Sequence, residues 1–119
     1  MIKNFENITF ELTEEEYKLV DLVVSGLKKR QKDNPIKGEE ICEKINVGLD
    51  KFGLTKKFSD ARLRKITNYI RANGILPVIA TSKGYYCSYD TDEIKSQIDS
   101  LYQRAEAIKS SADGLKKFL

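Results

Sequence analysis

The chain has 119 residues, 40% of them hydrophobic and 33% charged, which fits one modest core plus an appendage and excludes two full domains. It contains no histidine and only two cysteines, Cys42 and Cys87, so a histidine general base, a Cys–His nucleophile pair and the usual zinc ligand sets are ruled out. The formal net charge is only +3, yet residues 28–73 hold 13 Lys/Arg against 6 Asp/Glu, leaving 8 against 12 in the remainder.

Ile8, Phe10 and Leu12 alternate with Thr9 and Glu11, the period-two pattern of a short strand or extended arm with one apolar side. Thr13 followed by Glu16 is a capping-box signature, and Leu19, Val20, Val23, Val24 and Leu27 give the helix it opens a wide apolar stripe. This first helix is expected to end near Asn34-Pro35, with Lys28, Lys29, Arg30 and Lys32 in its last turns, where cations complement the helix dipole. Ile36-Lys37 has the character of a very short strand between two helices. The second helix is expected to start near Gly38 and to run through Ile41, Ile45, Leu49 and Phe52 to a cap at Gly53, weakened in its middle by Gly48. Lys56 and Lys57 follow in a connection that could touch phosphate on one flank. Phe58 precedes the next cap by one position and is placed as a hydrophobic staple against Leu63.

Ser59 is the N-cap of a third helix, in which Leu63, Ile66 and Ile70 share one face and Asn73-Gly74 is the stop. Opposite that face the helical wheel places Lys65, Asn68, Ala61 and Ala72, with Arg64 and Arg71 on one side and Arg62 and Tyr69 on the other. Such a face suits DNA: cations meet phosphates or guanine edges, Asn pairs bidentately with adenine, and Ala permits close approach. Ile75 to Thr81 is β-rich, Ser82-Lys83-Gly84 supplies turn chemistry, and Tyr85 to Tyr89 reads as a returning strand, with Lys83 at the hairpin tip.

The pattern RLRKITNYIRANGI followed by SKGYY resembles the winged helix-turn-helix superfamily, in particular the DNA-binding domain of biotin-repressor-type regulators and of small phage regulators. The resemblance covers roughly residues 13 to 89 in architecture, while its specific residues lie between 62 and 86. It implies a winged-helix fold, double-stranded DNA as partner, and a role in transcription or replication control of phage or mobile-element type. The connection between the second and third helices exceeds the 3–4 residues of a strict helix-turn-helix.

At the C-terminus, Ile94, Ile98, Leu101, Ala105, Ile108, Ala112, Leu115 and Leu119 are spaced alternately by four and three, an unbroken heptad seam. Asp90 or Thr91 is placed to cap a helix of about 28 residues, roughly 40 Å long at ~1.5 Å per residue. A narrow seam of this kind prefers a single partner helix. Self-association into a homodimer is expected, with two reader helices matching half-sites about one DNA turn apart, ~34 Å, or a multiple. The alternative is that the helix folds back on the first helix of its own chain.

The sequence thus leads to a mostly α, α+β fold: a winged-helix domain over residues 1–89, ending in a β-hairpin wing, with a long C-terminal helix over 90–119. Arg62, Arg64, Lys65, Asn68, Tyr69, Arg71 and Lys83 are the expected DNA contacts. The seven glycines never take phosphate-loop spacing, and Glu14, Glu15, Glu16, Glu39 and Glu40 lie in first helical turns, where the dipole accounts for them. No enzyme activity, cofactor or metal is expected. No apolar run approaches the ~18 residues of a membrane span, and the first residues lack a signal-peptide core, so cytoplasmic residence with two reduced, buried thiols is expected. A protein-interaction module, with the basic face docked on an acidic partner or ribonucleoprotein, is the second reading.

Overall fold

The computed structural model describes residues 11–48 and 56–119 of the chain. It is mostly helical with one small antiparallel sheet, in the order α1 (Glu14–Lys28), α2 (Gly38–Val47), α3 (Asp60–Ala72), β1 (Val78–Thr81), β2 (Gly84–Cys87) and α4 (Thr91–Leu115). A 3₁₀ turn, Lys116–Phe118, closes the chain. Two compact units result, one ending at Ser88 and the other comprising Tyr89–Leu119.

Local chemistry sets most helix starts. Thr13 and Glu16 form the reciprocal capping box of α1: the Glu16 N–H donates to Thr13 Oγ1 at 3.2 Å, and the Thr13 N–H donates to Glu16 Oε1 at 2.9 Å. Ser59 Oγ accepts from the Arg62 N–H at 3.2 Å to cap α3, and Asp90 Oδ1 accepts from the Glu93 N–H at 3.0 Å to cap α4. No side chain caps α2, whose N-cap is Lys37.

Helix ends depart from the sequence reading. The first helix stops at Lys28, six residues before Asn34, because no apolar side chain beyond Leu27 remains to be buried on that face. Residues 31 to 34 instead form a turn closed by the Gln31 N–H to Asn34 Oδ1 at 2.8 Å. The second helix stops at Val47 and Gly48 is its C-cap, where continuation to Phe52 and Gly53 was expected. The expected positions Leu49, Phe52 and Gly53, like the N-terminal alternation through Ile8 and Phe10, lie outside the described residues.

The core of the first unit joins all of its elements. Leu19, Val20, Val23 and Leu27 of α1 meet Ile45 of α2, Leu63, Ile66 and Ile70 of α3, and Leu76 and Val78 on the approach to and start of β1. Phe58, fully buried one position ahead of the Ser59 cap, belongs to the same core cluster as Leu63. The hairpin pairs Thr81 with Gly84, so Ser82 and Lys83 form a two-residue tip. Ile36 adds a single antiparallel bridge to Tyr85, through Ile36 N–H to Tyr85 O at 2.9 Å and Tyr85 N–H to Ile36 O at 2.7 Å, so the very short strand expected at Ile36-Lys37 is realised as one bridging residue.

Gly84 is required by this close approach. Its φ is +130°, and a Cβ there would stand 2.5 Å from the Ile36 carbonyl oxygen. Gly84→Ala is therefore expected to destabilise the first unit by about 2–3 kcal/mol, measured as a lowered urea midpoint at unchanged m-value.

Candidate nucleic-acid interface

The α3 helix is held on three sides. Leu63, Ile66 and Ile70 are fully buried, and Thr67 is buried with its hydroxyl donating to the Leu63 carbonyl at 2.9 Å. On the flank toward α1, the Tyr69 ring meets Tyr17 edge-to-face at 5.4 Å. On the flank toward the hairpin, Arg71 Nε donates to the Val78 carbonyl at 3.0 Å.

A cluster centred on Glu16 fixes the α1 flank. This carboxylate is buried, with Arg62 Nε donating to Oε2 at 2.8 Å and Lys65 Nζ reaching Oε1 at 2.7 Å. Arg62 extends the network through Nη2 to Glu15 Oε1 at 3.2 Å and through Nη1 to the carbonyls of Lys56 at 3.1 Å and Lys57 at 3.5 Å. Its guanidinium also lies 5.9 Å from the Phe58 ring centroid. Burial alone would push the Glu16 carboxyl up. The hydrogen bond from Lys65, the Thr13 N–H, the Arg62 hydrogen bond and the Lys65 charge outweigh it, so the group titrates below its ordinary value of 4.5.

These contacts correct the expected orientation of two cations. Lys65 and Arg62 do not stand free on the outward face; each side chain keeps only 15% of its exposure because it turns to α1. Tyr69 and Arg71 are likewise half-buried against Tyr17 and Val78. The outward face retains exposed Arg64, with half-buried Asn68 beside it, flanked by exposed Ala61 and Ala72. Arg64 is 58% exposed and its one ion pair, to Asp60 at 3.4 Å, spans a single turn, an arrangement worth only about 0.3–0.5 kcal/mol and readily exchanged.

The hairpin stands beside this face. A Cβ on Gly38 would meet Asp60 Oδ1 and Tyr85 Cε2, both at 3.3 Å, so the starts of α2 and α3 converge with β2. Burial first, then the Asp60 carboxylate, pushes the Tyr85 phenol above its ordinary range, with Arg71 and Arg64 acting in opposition. At the tip, Lys83 is exposed and its N–H donates to Thr81 Oγ1 at 3.2 Å. Lys37 Nζ donates to the Ser82 carbonyl at 3.2 Å, which brings a second exposed ammonium to the hairpin tip. Lys37 is a residue that the sequence did not single out for this face, because 45 positions separate it from Ser82.

Asn46 fixes the entry to α3: its amide donates to the Phe58 carbonyl at 3.0 Å and accepts from the Phe58 N–H at 2.8 Å. Cys42 and Cys87 are free thiols, each half-buried and shifted up chiefly by burial. Among the described residues, no group of three or more His, Cys, Asp or Glu side chains is placed to hold a metal ion, and no helix is long and apolar enough to cross a membrane.

Compared with known proteins, the chain matches no protein-family model, no curated sequence and no solved structure.

The Glu16 cluster has a pH signature. Because its carboxyl is depressed in the folded state, its stabilisation is complete above the ordinary value of 4.5 and is lost as pH falls through the lower folded value. Glu16→Gln should therefore lose stability at neutral pH and show a shallower decline between about pH 5 and 3 than the parent, in urea titrations across that range. Glu16→Ala should cost about 2–4 kcal/mol at neutral pH, since it strands two partly buried cations.

Proposed function

We propose that the unit ending at Ser88 is a winged-helix domain that binds double-stranded DNA, with α3 as reader helix and the β1–β2 hairpin as wing. The observation that carries this reading is the outward α3 face: exposed Arg64, with half-buried Asn68 beside it, lies between the small residues Ala61 and Ala72, on a helix whose other sides are held by the core and by α1. A major groove about 12 Å wide admits such a helix, Arg64 suits guanine edges or phosphate, and Asn68 suits adenine. The ammonium groups of Lys83 and Lys37 provide phosphate contacts at the hairpin tip, sequence-independent and salt-sensitive. Arg62, Lys65, Tyr69 and Arg71 act mainly by holding α3 in place.

The α4 seam supports a homodimer, which would present two reader helices to a two-fold site, as expected for a transcription or replication-control protein. A second reading is docking of the basic face on an acidic protein or ribonucleoprotein, which would use the same exposed cations, since Arg62 and Lys65 are neutralised internally in either case.

Retention of random genomic duplexes on the purified protein, followed by sequencing, separates the two. Enrichment of a short site supports the DNA reading, and no retention even at low salt favours protein docking. Arg64→Ala is expected to weaken duplex binding by roughly tenfold. Lys83→Ala with Lys37→Ala should weaken binding to all sequences alike and lower the slope of log K against log salt by about 2, whereas Lys65→Ala should leave the slope nearly unchanged.

A further inference from the structure

We propose that α4 pairs with α4 of a second copy of this chain in antiparallel orientation, centred on Gln103. This inference rests on the homodimer reading and adds its direction and register. The helix spans 25 residues, none of them buried, and Ile98, Ile108 and Leu115 of its seam are exposed.

Side-chain size decides the orientation. Along the seam, one heptad position carries Ile94, Leu101, Ile108 and Leu115, and the other carries Ile98, Ala105, Ala112 and Leu119. In a parallel pair each layer meets itself, so two thin Ala–Ala layers would alternate with thick Leu–Leu and Ile–Ile layers. Two straight helices cannot satisfy both spacings, and the Ala layers would be left underpacked. In the antiparallel pair the two positions face each other. Ile94 meets the partner's Ala112, Leu101 meets the partner's Ala105, and Ile98 meets the partner's Ile108. Every alanine then faces a large side chain, so no thin layer remains.

Charge permits the same pairing without deciding it. Asp92, Asp99, Glu106 and Asp113 recur at seven-residue spacing and form one acidic row, beside a row of Lys95, Tyr102, Lys109 and Lys116. Antiparallel pairing brings Lys95 within two residues of axial level, ~3 Å, of the partner's Asp113, and Lys109 equally near the level of the partner's Asp99. Lys116 and the partner's Asp92 complete the set. The same register also brings Lys95 equally near the level of the partner's Lys109, and Arg104 near that of the partner's Arg104, while the parallel pair opposes Arg104 to the partner's Lys109, so like-charge contacts occur in both orientations and side-chain size decides between them.

The test uses full-length chain carrying one new cysteine at a time, with the parent and its two native thiols as background under the same mild oxidation. Ile94→Cys and Ala112→Cys should each stay uncrosslinked alone and form a mixed disulfide dimer when combined with a size-distinguishable copy. Self-crosslinking of Ile94→Cys alone would overturn the antiparallel orientation while leaving the dimer intact. Leu101→Cys with Ala105→Cys gives a second such pair: each should stay uncrosslinked alone and form the mixed disulfide dimer when combined, whereas self-crosslinking of Ala105→Cys alone would indicate the parallel pair. A parent chain that stays monomeric at its highest soluble concentration removes both the register and the dimer. The duplex-binding effect of Arg64→Ala, read separately, then reports whether the DNA reading stands without them.

Discussion

The buried Glu16 carboxylate sets the geometry on which the rest of the first unit depends. Its two oxygens take the Thr13 N–H, the Lys65 ammonium and the Arg62 guanidinium, one donor from its own helix and two from α3. A carboxylate removed from water in this way is tolerable only while its partners stay in place, so the cluster resists any rotation of α3 about its axis. Rotation by one residue would strand both the anion and its cations. The cluster thereby decides which α3 side chains reach solvent.

That decision has a consequence for charge. Residues 28–73 carry 13 Lys/Arg, but the cationic surface beside α3 is narrower than this count suggests. Arg62 holds Glu15, Glu16 and the carbonyls of the incoming chain; Lys65 is held by Glu16; Arg71 ties α3 to β1. What remains outward is Arg64, with half-buried Asn68 beside it, together with Lys56 and Lys57 ahead of α3 and Lys37 and Lys83 at the hairpin tip. On the DNA reading proposed above, phosphate contact would fall to these few side chains.

The hairpin is placed by backbone pairing together with two cationic side chains, Arg71 on β1 and Lys37 at the tip. The Ile36–Tyr85 bridge clips β2 to the chain ahead of α2, Gly84 permits that clip by lacking a Cβ, and the Lys37 ammonium reaches Ser82 at the tip. In the second unit, α4 follows a different logic. Its seam is periodic over its full length yet buries none of its side chains, so its packing energy is available to a partner.

What could be read directly from the sequence was what short-range physics controls. The caps at Thr13, Ser59 and Asp90, buried Phe58 ahead of the Ser59 cap, and the α4 helix all involve residues a few positions apart, and each is where the sequence reading placed it, while the hairpin expected around Ser82-Lys83-Gly84 is tighter, with Gly84 inside β2 and the strands confined to Val78–Thr81 and Gly84–Cys87. Of the two helix ends that differ, the first was expected at the Asn34-Pro35 breaker, past the last core side chain at Leu27, and the second was carried past Gly48 by the spacing of Leu49 and Phe52 to a cap at Gly53. Glu16 was legible as a capping residue because Thr13 is three positions away, but its other partners are 46 and 49 positions distant, and a helical wheel drawn for α3 alone cannot show that α1 supplies a carboxylate to one flank. Only the tertiary structure could decide which cations of α3 are structural and which face outward, and that Lys37 reaches the hairpin tip, because those outcomes depend on which helix faces which. Periodicity fixes a side chain's direction on its own element; packing between elements fixes what that direction meets.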